Sequence, residues 1–244
     1  MATITSIVAV SCKKDNTILY NNQTMGNIVD GRFISDQGNL FNIVEQNCPG
    51  QLDTMDRALI LCDVLNRTEN GKSNEYDVRL NYIVKVLAKD AVAKGDATEE
   101  MLVEDPIHVE YIWTSGGYLN MYIVFPYVPE SKKAHYINLI HEGEIDGSEK
   151  PSYRFTIKHN SYGDKISEEN KGEIVLGGGY VSFPLNTIIK EESAEIKIDW
   201  LWHKVSGSTI LPDTEYKTLT GTYTKTGYQH TPSNPTTRAT AEII

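Results

Sequence analysis

Six histidines are the side chains of this chain best suited to metal binding or proton transfer: His108, His135, His141, His159, His203 and His230. None forms H-E-x-x-H, the helical spacing that puts two imidazoles on one metal. His135 and His141 flank an apolar segment at even spacing and so point the same way, and a metal site would need His108 or His159 beside them. Hydrogen-bonded or solvated imidazoles are the expectation, with no metal. The carboxylate pairs Glu142/Glu144, Glu168/Glu169 and Glu191/Glu192 fall in polar stretches, whereas a glycosidase pair needs a cleft to hold it. Ser115-Gly116-Gly117 has the composition of a small oxyanion loop, but it joins two alternating segments and reads as a hairpin turn. No phosphate loop, dinucleotide fingerprint or nucleophile elbow occurs. Gly177-Gly178-Gly179 precedes a β pattern and reads as a hairpin tip or bulge. The expectation is therefore no catalytic residue and no cofactor.

The three cysteines differ in kind. Cys12 follows Ile7-Val8-Ala9-Val10-Ser11 and precedes Lys13-Lys14-Asp15-Asn16. An apolar run, a small residue, Cys and then a polar stretch is the pattern of a bacterial lipoprotein signal, in which the thiol is acylated. The run is short and no basic residue precedes it, which a truncated start would explain. Lipidation at Cys12 is the expectation. Cys62 shares a face with Ala58, Ile60 and Val64 and reads as a buried thiol. Cys48 sits in a Cys-Pro-Gly turn, and its pairing with Cys62 is left open. No C-x-x-C occurs.

The elements around these residues are strands, because period-two alternation dominates. The first group is Asn27–Ile34, Leu40–Glu45, Arg57–Asn66 and Tyr76–Leu87. In the last, Val78, Leu80, Tyr82, Val84 and Val86 are expected on one face. Four or five curved strands in so short a span suggest a small barrel of the OB type. Residues 88–104 lose the alternation and suggest short helical turns. From Asp105 it returns, with Ile107, Val109, Tyr111 and Trp113 expected on one face. Leu119–Phe125, Tyr153–Ile157, Val181–Leu185, Ile196–Trp202 and a Thr-rich strand near Glu215–Thr226 follow. Short antiparallel strands in this number read as an immunoglobulin-like β-sandwich. Trp113, Trp200, Trp202, Phe125, Phe155 and Phe183 are expected in its core.

The fold class is thus all-β. The expected division is a leader and tether (1–23), an OB-like domain (24–90), a linker (91–104), a sandwich domain (105–230) and a tail (231–244). Hydrophobic residues make up 40% and charged residues 23% of the chain, which suits a folded globular protein. The net charge is −10, which argues against nucleic acid and anionic lipid surfaces as partners. No apolar run reaches the roughly 18 residues of a spanning helix, so membrane contact is expected only through the N-terminal lipid.

Several segments recur together: Asp105-Pro106-Ile107, Trp113-Thr114-Ser115-Gly116-Gly117-Tyr118-Leu119-Asn120, Lys132-Lys133-Ala134-His135, His159-Asn160-Ser161-Tyr162-Gly163-Asp164 and Val181-Ser182-Phe183-Pro184-Leu185. In combination they resemble the NigD-like family of Bacteroidales envelope lipoproteins. Tyr82–Leu87 resembles the end of that family's N-terminal domain. Met25-Gly26-Asn27-Ile28 departs from it, standing where a more apolar strand is expected. The resemblance implies a barrel, a sandwich and a lipid anchor in the cell envelope. It also implies a proposed bacteriocin-immunity role and no catalytic residues. The motif residues Trp113, Ser115, Gly116, Gly117, Tyr118, Asn120, His135, His159, Asn160 and Gly163 read as structural. Three functions compete: a non-catalytic factor that binds a protein such as a toxin, a glycan-binding envelope module, and a hydrolase with a site split between domains. The first is the expected one.

Overall fold

The computed structural model describes residues 18–19, 23–48, 52–67, 74–131, 133–164, 175–206 and 209–225. Cys12, Glu168, Glu169, His230 and the expected tail lie outside them.

The first strands are β1 (Ile18–Leu19), β2 (Thr24–Val29), β3 (Arg32–Ser35), β4 (Leu40–Gln46), β5 (Arg57–Arg67) and β6 (Glu75–Lys85). The expected single strand Asn27–Ile34 is two, because Asp30 and Gly31 both adopt positive φ and reverse the chain. The sheet runs β1-β5-β2-β3-β4-β6 and closes through a β5–β6 pairing, so β2 to β6 form a five-stranded barrel. β4 and β6 pair in parallel and the other neighbours antiparallel. Phe33, Phe41, Ala58, Ile60, Cys62, Val64, Val78 and Leu80 fill the barrel. Cys62 is the buried thiol expected, with its pKa pushed up to about 11, chiefly by burial. Cys48 and Cys62 are both free.

The connecting stretch does not leave the sheets. β7 (Leu87–Ala88) and β8 (Val92–Ala93) are followed by 3₁₀ turns at Lys94–Asp96 and Glu100–Leu102. β7 pairs with one sandwich sheet and β8 with the other. The remaining strands are β9 (His108–Ser115), β10 (Tyr118–Tyr127), β11 (Tyr136–Glu144), β12 (Ser152–Asn160), β13 (Val175–Pro184), β14 (Ser193–Ser206) and β15 (Thr209–Thr224). They form two sheets, β7-β13-β10-β9 and β15-β14-β12-β11-β8. The sandwich is not wholly antiparallel as expected: β12 and β14 run parallel. The chain crosses to the other sheet as β13 between them, and that crossover sets the direction. Between the sheets lie Leu119, Met121, Ile123, Phe125, Ile137, Leu139, Phe155, Phe183, Ile198 and Trp200, all buried. Gly177–Gly179 form the middle of β13 rather than a hairpin tip.

Two bulges correct the expected faces. Along β10, Tyr122 pairs with Tyr111 but Ile123 pairs with Val109, so Glu110 is an extra residue in β9. Along β5, Leu61 pairs with Tyr82 but Cys62 pairs with Leu80, so Asn81 is an extra residue in β6. One inserted residue sends every later side chain to the other face. Val109 and Ile112 therefore pack on the sandwich core, while Tyr111 turns outward, 59% exposed. Trp113 leaves the core as well and packs beside Met25, Leu59 and Val86. In β6, Val78 and Leu80 point into the barrel, whereas Val84, and Val86 just past the end of the strand, pack outside it with Trp113 and Tyr180.

Candidate functional site

Both bulges turn side chains toward the place where the barrel meets the outer face of β9, β10 and β13. The centre of this junction is Arg57, the first residue of β5 and 1% exposed. A guanidinium buried there must spend its five N–H groups on acceptors. Nε donates to Ser182 Oγ at 2.9 Å. Nη1 donates to Asn27 Oδ1 at 3.0 Å and Asp36 Oδ1 at 2.9 Å. Nη2 donates to Asp36 Oδ2 at 2.8 Å and Asn120 Oδ1 at 2.9 Å. All five are satisfied, two of them by a bidentate carboxylate from the barrel and two by the sandwich. The guanidinium also lies 3.9 Å from the ring centre of Tyr118, an arrangement favourable for a planar cation.

The motif from Trp113 to Asn120 is the sandwich's half of this junction. Ser115 Oγ donates to Asp36 Oδ2 at 2.5 Å and accepts from Asn120 Nδ2 at 3.0 Å. Ser182 Oγ donates to Asn120 Oδ1 at 2.6 Å. Gly116 and Gly117 turn the chain with φ of 58° and 80°. The departure at Met25–Ile28 has its reason here as well. Met25 packs in the junction, Asn27 accepts from Arg57, and a Cβ on Gly26 would collide with the Ile34 carbonyl oxygen. The motif therefore joins two modules rather than filling one core.

Beyond the Arg57 cluster the junction opens into a shelf of tyrosines. Tyr122 and Tyr180 pair across β10 and β13 with ring centres 4.8 Å apart, and Tyr111 stands 6.5 Å from Tyr122. Tyr82 of the barrel, 48% exposed, flanks them. Burial first, and then the phenols of Tyr122, Tyr82 and Tyr111 and the Glu110 carboxylate, hold the Tyr180 hydroxyl above its ordinary pKa. That hydroxyl stays neutral and protonated. Gly178 leaves room for the Tyr122 ring, whose hydroxyl would be 3.0 Å from a Cβ there.

The motif histidines form a second, closed cluster. His135 Nδ1 and His159 Nε2 are 2.8 Å apart, and Phe125 stacks on His135 at 4.3 Å. His159 Nδ1 lies 3.3 Å from the Pro106 carbonyl. His135 Nε2 lies 3.5 Å from Asp164, whose oxygens already accept from Val128 N and Ser131 Oγ. Burial drives the His159 pKa down to about 3, and it lowers His135 as well despite the partial offset from Asp164. Asn160 Oδ1 accepts from Tyr162 N, and Tyr162 and Gly163 take positive φ in a tight connection. His141 rests against Tyr153 and Phe155 instead. Among the described residues, no group of three or more His, Cys, Asp or Glu is placed to hold a metal. Ser115 Oγ donates to the Asp36 carboxylate, which is itself held by the Arg57 guanidinium.

Residues 90–217 match the family described as NigD-like C-terminal beta sandwich domain. Three solved structures share the fold at low identity. A protein of unknown function, DUF1344, from Bacteroides vulgatus ATCC 8482 is 18% identical with a TM-score of 0.55, over 88% of this chain and 96% of that one. A protein of Parabacteroides distasonis ATCC 8503 named as toxin-related is 22% identical with a TM-score of 0.53, over 82% and 90%. A protein of Bacteroides fragilis NCTC 9343 named as a lipoprotein is 12% identical with a TM-score of 0.56, over 85% and 99%. None of the curated proteins compared matches the chain.

Proposed function

The chain belongs to the NigD-like family, and on that footing we propose that it is a non-catalytic protein of the cell envelope that binds another protein. An immunity-type role toward a toxin is the form of this reading we favour. The barrel, closed in the order β2-β3-β4-β6-β5, is read as OB-type, and the sandwich as immunoglobulin-like. An acyl chain on Cys12 would hold the protein to the membrane, and no helix among the described residues is long and apolar enough to cross it.

The observation that carries the reading is the tyrosine shelf. Tyr82, Tyr111, Tyr122 and Tyr180 come from two modules and are gathered at one exposed edge. Rigid amphipathic rings of this kind supply large contact area at small entropic cost and are enriched at protein interfaces. The Arg57 cluster next to the shelf has every guanidinium N–H bonded, which suits it to hold the two modules in place behind these rings. An envelope glycan is the alternative partner, because the same exposed rings can stack on sugar faces. A photo-reactive phenylalanine analogue at position 111, introduced in the native host, tests the choice. A defined protein adduct is expected. Retention on envelope polysaccharide without any protein adduct would favour the alternative.

A further inference from the structure

Resting on that reading, we infer that the tyrosine shelf takes a basic side chain, Arg or Lys, presented by the protein partner. The fold already pairs cations with aromatic faces at three places. Arg57 lies over Tyr118 at 3.9 Å, Lys89 over Tyr136 at 3.5 Å and Lys217 over Trp202 at 4.3 Å. Among the described residues, no lysine or arginine lies over Tyr82, Tyr111, Tyr122 or Tyr180. This group of partly exposed rings at the junction thus has no cation over it among the described residues.

The surroundings are matched to one. The extra residue that turns Tyr111 outward is Glu110, itself exposed, and its carboxylate acts on Tyr180. Ring faces carry negative potential, and the exposed carboxylate of the residue next to Tyr111 adds charge of the same sign to that edge. The chain as a whole carries −10, which draws cationic partners during encounter and repels acidic ones. A neutral sugar would use the ring faces and donate a hydroxyl to Glu110, but it would leave the carboxylate's charge unpaired. A basic side chain uses both. The bulge in β9 thus does two things at once, exposing the ring and placing the countercharge.

The test is a titration followed by tyrosine-ring NMR signals of the whole protein. The probes are the peptide Gly-Arg-Gly-Arg-Gly-Arg and the same peptide with citrulline, which keeps the shape and removes the charge. Saturable shifts of the Tyr111 and Tyr82 rings are expected with the arginine peptide. Binding should be about threefold to fivefold weaker with citrulline, as for an exposed cation–π pair, and weaker by about twofold to fivefold for Glu110→Gln, as for an exposed ion pair. Equal binding of the two peptides would overturn the inference. So would an absence of ring shifts at millimolar arginine peptide, or shifts of those rings by a neutral oligosaccharide alone. The protein-binding reading fails separately. If position 111 still cross-links a protein that the arginine peptide does not displace, the shelf remains the interface and only the cation is lost.

Discussion

Gly116 stands where any Cβ would fall 2.6 Å from the Asp36 carboxylate oxygen. The turn of one module is therefore shaped to the acid of the other. A side chain at position 116 meets two obstacles, a left-handed backbone conformation and a buried ion pair. Gly116→Ala should destabilise the protein by about 2–4 kcal/mol, combining overpacking with the loss of a residue suited to positive φ. Denaturant unfolding measures it, and an unchanged midpoint would contradict the packing described.

Asp36→Ala removes the bidentate partner and leaves Arg57 buried with two of its N–H bonds unmade. The expected cost is about 3–5 kcal/mol, as for other buried pairs broken from one side. Arg57→Lys should not restore the site, because an ammonium offers three donors and no planar fork. A double-mutant cycle between Asp36→Ala and Ser115→Ala should show coupling, since Ser115 donates to the same carboxylate. Strict additivity would show that the two groups act independently.

Trp113→Ala tests the bulge. A ring in the sandwich core would cost about 3–5 kcal/mol on truncation. Its half-buried position at the junction lowers the expectation to about 1–3 kcal/mol. Val86→Ala should couple to it, because both lie in the junction cluster. A full core-sized loss without such coupling would restore the unbulged register.

Acid should weaken the fold through its buried imidazoles. His159 and His203 have pKa values lowered from 6.5 to about 3 and about 4, in each case first by burial. Between those values and 6.5 the unfolded chain binds more protons than the folded one. Stability is therefore whole above pH 6.5 and is lost as the pH falls toward 4. Melting temperatures measured across that range should fall, and His159→Phe should flatten the slope. A melting temperature that stays level or rises on acidification would contradict the buried neutral state.

Much of the architecture is legible because alternation survives wherever one face is buried. Ala58, Ile60, Cys62 and Val64 read on one face and share the barrel core. Leu119, Met121, Ile123 and Phe125 likewise share the sandwich core. The bulges stay hidden because apolar and aromatic residues occupy both faces of β6 and β9, so Val84 and Val86 look like a continuation of Val78 and Leu80. The adjacent pair Ile112-Trp113 is the available signal, since two consecutive apolar residues break strict alternation. Arg57 is invisible as a centre. Its partners Asn27, Asp36, Asn120 and Ser182 are scattered along the chain, and only the folded junction makes a lone charge at the head of an apolar strand meaningful.

The shelf as the functional surface is the central claim, and one affinity comparison tests it most directly. The protein cross-linked from position 111 would be purified and titrated against wild type, Tyr111→Ser and Tyr82→Ser. Both rings are exposed, so their loss should leave the melting temperature unchanged. The account predicts binding weakened by about tenfold or more for Tyr111→Ser, the effect of an interface hot spot, with a smaller loss for Tyr82→Ser. Affinities within about twofold of wild type for both variants would contradict it and place the binding surface elsewhere on the molecule.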